Sequence, residues 1–90
     1  MNKQEILTQA LNQRHQEILE YQINIDNYTL AIEKINKEHI GESPIDEAMM
    51  EFKAQLEGLL QSSLIEQRKA MIIRDVIQDQ LGVENVHFSN

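Results

Sequence analysis

The 90-residue chain carries 8 basic against 15 acidic residues, a formal charge of −7, and has no cysteine. Disulfides and thiolate metal sites are therefore excluded, and the acidic balance disfavours nucleic-acid binding, which needs clustered Lys and Arg to displace counterions. The length allows one small domain, whose core is marginal unless something else covers it.

Met1-Asn2-Lys3-Gln4-Glu5 has no apolar signal core, and no apolar run approaches the roughly 20 residues needed to span a bilayer. These features lead us to expect a soluble, cytoplasmic protein. Proline occurs once and glycine three times. So few breakers predict long helices.

Helix one is predicted over about 3–40, capped by Asn2 with Glu5 in capping-box spacing. Leu7, Leu11, Arg14, Ile18, Tyr21, Ile25, Tyr28, Ile32, Ile35 and His39 alternate steps of three and four. That rhythm is a heptad seam, broken at Arg14 and polar at His39. Gly41 is expected to end the helix in a left-handed conformation.

The turn is placed at 41–43. Ser43 is the expected cap of helix two (about 44–81), with Pro44 at its first position and Asp46 in capping-box spacing. Ile45, Met49, Phe52, Leu56 and Leu59 are expected to form its inward seam, with Gly82 as the C-terminal cap. Residues 83–90 are left as a tail whose Val83, Val86 and Phe88 can fold back on the bundle. The 1–82 unit is thus an all-α, antiparallel two-helix coiled-coil hairpin.

Folding about the turn sets Ile35 near Ala48, Tyr28 near Gln55, Tyr21 near Ser62 and Arg14 near Lys69. Ser63 and Glu66 then interrupt one seam at the level where Tyr21 and Arg14 interrupt the other. An Arg14–Glu66 pair and a Tyr21 hydroxyl near the serines are the expected register-setting polar layer.

More apolar residues occur than one seam requires. Leu19, Ile23 and Leu30 fall opposite the seam of helix one, and Ile65, Ile72 and Val76 project outward from helix two. Gly58 and Ser62 share that outer line, where a mid-helix glycine permits close approach of another helix. These residues predict an oligomer or partner interface, with the hairpin dimerising into a four-helix or larger bundle.

Chemistry is sparse. His15, His39 and His87 are far apart, and neither paired-histidine metal spacing nor a glycine-rich phosphate loop occurs. Glu84-x-x-His87 occurs once, without a second copy. Catalytic residues, cofactors and metals are not expected. The remaining local feature is the acidic tip of Glu38, Glu42, Asp46 and Glu47, beside His39.

The expected function is a non-enzymatic, self-associating hairpin that binds another protein, as accessory, chaperone or phage-type assembly factors do. Its partners are a second copy and a further protein, with no nucleic acid and no membrane. The alternative is a regulator or inhibitor of a nucleic-acid enzyme, acting through the acidic tip or a DNA-mimicking acidic surface.

Overall fold

A computed structural model describes the backbone of residues 2–88 and the side chains of residues 2–82. Two helices, α1 (Lys3–Glu38) and α2 (Pro44–Phe88), pack antiparallel into a rod of 70 × 20 × 14 Å. No described helix is long and apolar enough to cross a membrane.

Helix α1 starts where its capping chemistry predicts. The Asn2 side-chain Oδ1 accepts the Glu5 amide at 2.8 Å, satisfying one of the four unpaired N–H groups of a helix start. Its end differs from expectation. The helix leaves at His39 (φ −127°, ψ 68°), whose N–H donates to the Ile35 carbonyl at 2.9 Å. No glycine among the described residues has positive φ, so Gly41 is not a left-handed cap.

What favours glycine at position 41 is the space taken by the Asp46 carboxylate. A Cβ there would come within 2.7 Å of Asp46 Oδ2. Gly82 is also not a terminator, because α2 runs through it to Phe88. A glycine ends a helix only if the backbone adopts the left-handed turn, and helical geometry is open to glycine as well. The side chains of Val83, Val86 and Phe88, and the Glu84-x-x-His87 spacing, lie outside the described side chains.

The α1 seam is as the sequence indicates. Ile25 and Ile35 are buried, and Leu7 to His39 along the same line are buried or half-buried. In α2 the seam lies one residue away from three of the five expected positions. Asp46, Met49, Lys53, Leu56, Leu60, Ser63, Gln67, Ala70, Arg74, Ile77 and Leu81 face α1, while Ile45, Phe52 and Leu59 are exposed.

Two three-four rhythms share Met49 and Leu56, and only one can point inward. The turn selects it. Asp46 is tied to His39 across the two helix ends, which rotates Asp46 and its line toward α1 and turns Ile45 outward. Met49 rather than Ala48 therefore lies beside Ile35, and Ser63 rather than Ser62 is buried.

The resulting core is thin. Its buried apolar members are Ile25, Ile35, Leu56, Ala70 and Ile77, and none of the described side chains is fully enclosed. Each helix covers only one side of the other, so water reaches the edges of every layer.

Candidate interaction surface

The turn carries the densest polar chemistry. Ser43 Oγ accepts the Asp46 amide at 3.2 Å, the first half of the capping box read from sequence, but the return bond to Asp46 Oδ2 at 2.8 Å is donated by the Ser43 hydroxyl and not by its backbone N–H. Asp46 Oδ1 lies 3.0 Å from His39 Nδ1. The Ser43 hydroxyl, with smaller help from His39, holds the Asp46 carboxyl below its ordinary value of 3.8, against opposition from partial burial.

A serine, an aspartate and a histidine thus meet, but in an order that does not activate a nucleophile. The carboxylate sits between the other two, so the imidazole has no contact through which to take the serine proton. The trio is a helix cap and a clasp between the end of α1 and the start of α2.

Of the expected acidic tip, Asp46 is committed to that clasp and Glu38 lies 3.6 Å from Lys34 on its own helix. Among the described residues, no three His, Cys, Asp or Glu side chains converge as a metal would require.

The expected polar layer exists with different members. Arg14 Nη2 donates to Glu17 at 2.8 Å, and Lys69 donates to Glu66 at 3.0 Å. Both pairs lie within one helix, so the Arg14–Glu66 bridge does not form. Long side chains reach a neighbour one turn away at less entropic cost than a partner across the seam.

Among the described residues, a side-chain link across the seam is made by Gln67, which sequence reasoning passed over. Its Nε2 donates to the Ile18 carbonyl at 3.1 Å and to Gln22 Oε1 at 2.9 Å. The available signal was its seam position four residues after Ser63. Arg14 Nε is buried without a hydrogen-bond partner, a cost that the Glu17 contact does not remove.

The outer surface is where the fold leaves most apolar area. Leu19, Ile23, Leu30, Ile65, Ile72 and Val76 are all exposed, between 47% for Ile65 and 61% for Leu30. Ile45, Phe52 and Leu59 join them because the α2 seam turned the other way. Phe52 lines a shallow open groove of about 220 Å³ together with Ala31, Ile35 and Met49. At Gly58 a Cβ would meet nothing within 4 Å, so the hairpin itself has no packing need for that glycine.

On α2 the exposed apolar residues flank the inward seam, Ile45, Phe52, Leu59 and Ile73 on one side and Met50 and Leu64 on the other, with Ile65 and Ile72 opposite it, whereas Leu19, Ile23 and Leu30 lie on α1. The two sets belong to different helices and need not serve the same contact. Set beside known proteins, the chain matches no family model and shows no significant similarity to a curated protein or a solved structure.

Proposed function

We propose that this chain is a self-associating helical hairpin that works by protein–protein contact. The observation supporting this reading is the ratio of exposed to buried apolar residues. Among the described residues, fourteen large apolar side chains are exposed, while five apolar residues are buried. Scattered exposed Leu or Ile is ordinary, but stripes at helical spacing on a rod with no enclosed core residue demand cover.

A bundle of two or more hairpins provides that cover with the packing already used inside each hairpin. The hairpin is then a subunit and its remaining apolar line a platform for a different protein. The acidic surface, at −7 overall, suits a protein partner better than a nucleic acid. The acidic-tip reading draws less support, because capping already accounts for Asp46 and an intrahelical pair for Glu38.

Light scattering across a hundredfold range of concentration tests the proposal. The expected mass is a multiple of the 10.5 kDa chain. A monomer throughout, with a cooperative thermal transition, would overturn it.

A further inference from the structure

We infer that a basic amphipathic helix of a different protein docks along one side of the hairpin, in the half that carries the turn. This rests on the protein-contact reading above and names the chemistry of the partner. Each helix has two flanks beside the shared seam, and antiparallel packing sets like flank next to like flank. On one side of the hairpin, Asn36 and Ile40 meet Met50, and with His39 and Gly41 they line a groove of about 280 Å³. On the other side, Ala31, Lys34 and Glu38 meet Phe52.

The two sides differ in charge. Near the turn, the Phe52 side presents Ile45, Phe52 and Leu59, and its Lys34 and Glu38 pair with each other at 3.6 Å. The Met50 side has an apolar floor of Ile40, Met50, Ala54 and Leu64, all exposed, but carries Asp26, Glu33, Glu47 and Glu57 on the flanking positions. The first basic residue on those positions is Arg68, beyond Leu64. Lys53 reaches Glu57 from the seam at 3.9 Å, and Lys37 and Glu51 lie on the backs of the two helices, where they balance. Asp26 accepts the Gln22 amide at 2.9 Å. Among the described residues, Asp26, Glu33 and Glu47 enter no ion pair.

Floor and rim together select the occupant. Ile40 is 84% exposed and Met50 48%, so the floor favours apolar cover, while the three uncompensated carboxylates favour positive charge beside it. A basic loop without apolar residues satisfies the rim and leaves the floor wet, and a neutral apolar helix does the reverse. A helix with one apolar face flanked by Lys or Arg satisfies both. The stretch from Glu47 to Leu64 offers such a helix about 25 Å at 1.5 Å per residue. A second copy of the chain does not supply it. Lys69 and Arg74 are already paired with Glu66 and Asp75 on their own helix, and two acidic sides set face to face repel.

The probe is a labelled synthetic peptide of about 18 residues, Leu and Lys spaced for an amphipathic helix, titrated with the full chain and followed by fluorescence anisotropy. It should bind, and a peptide of the same composition in scrambled order should bind at least about tenfold more weakly. Glu33→Gln with Glu47→Gln should weaken binding by about tenfold, and Met50→Ser by a similar factor. Glu20→Gln with Asp79→Asn removes as much charge elsewhere and should change binding by less than about twofold, as should Phe52→Ser on the opposite side.

Failure to bind, equal binding of the scrambled peptide, or equal weakening by the Glu20 and Asp79 pair overturns the inference. Light scattering on the same samples separates it from the self-association reading. A monomer that binds the peptide overturns self-association alone, and an oligomer that does not bind it overturns this inference alone. The comparison of the two peptides uses the unaltered chain, so it reports even if a substitution unfolds the hairpin.

Discussion

Gln67 spans the seam to Gln22: its Nε2 lies 2.9 Å from Gln22 Oε1 and 3.1 Å from the Ile18 carbonyl, in a side chain only 6% exposed. The contact sets the longitudinal register, because a slip of α2 by one turn would bury the Gln67 amide without acceptors. Gln67→Ala should lower unfolding free energy by about 1–2 kcal/mol, read from urea midpoints. Gln67→Leu should regain stability but lose register. Cross-linking of Ile35→Cys to Met49→Cys within one chain would then fall as alternative registers become populated.

The clasp at the turn makes stability depend on acid. The folded Asp46 carboxyl titrates below its unfolded value of 3.8, so its contribution is complete well above that pH and is lost as pH falls through the lowered folded value. Melting temperature should therefore drop more steeply below about pH 4 in the wild type than in Asp46→Asn. Equal slopes in the two proteins would remove Asp46 from the acid limb. Ser43→Ala should cost about 1 kcal/mol near neutral pH through the lost cap.

Glycines 41, 58 and 82 should respond differently to alanine. Gly82 sits inside a continuous helix with nothing within 4 Å of an added Cβ, so Gly82→Ala should stabilise by up to about 1 kcal/mol. Gly41→Ala should destabilise, since its Cβ would push the Asp46 carboxylate off Ser43 and His39. If the hairpin self-associates as proposed, Gly58→Ala should raise helix stability in dilute protein yet weaken the assembly, a split visible by melting at two concentrations.

Arg14 interrupts the α1 seam with an unpartnered, buried Nε. Arg14→Leu should extend the apolar seam and stabilise by about 1 kcal/mol, since an apolar side chain removes the desolvation cost and the Glu17 contact is partly exposed. A fall in the urea midpoint would show that Arg14 contributes more than this contact supplies.

Much of this molecule was legible in the chain because the signals are local. Asn2 and Ser43 announce two helix starts through their own side chains, and the α1 seam runs from Leu7 to His39, longer than the stripe of Leu19, Ile23 and Leu30 opposite it. Scarcity of breakers and a short link between helices are enough for an antiparallel hairpin. The outer residues Leu19, Ile23, Leu30, Ile65, Ile72 and Val76 could be recognised as surplus, since a single seam cannot hold them.

Tertiary structure decided what was degenerate in the sequence. Helix α2 offers two seams through Met49 and Leu56, and periodicity treats them alike. The His39–Asp46 clasp, from the C-cap of α1 to the first turn of α2, and the Gln67 bridge between the helices turn one seam inward and expose Ile45, Phe52 and Leu59. Glycine is similarly ambiguous in one dimension. Whether Gly41 turns left-handed or merely leaves room for a carboxylate depends on where Asp46 arrives in space, and that depends on the fold.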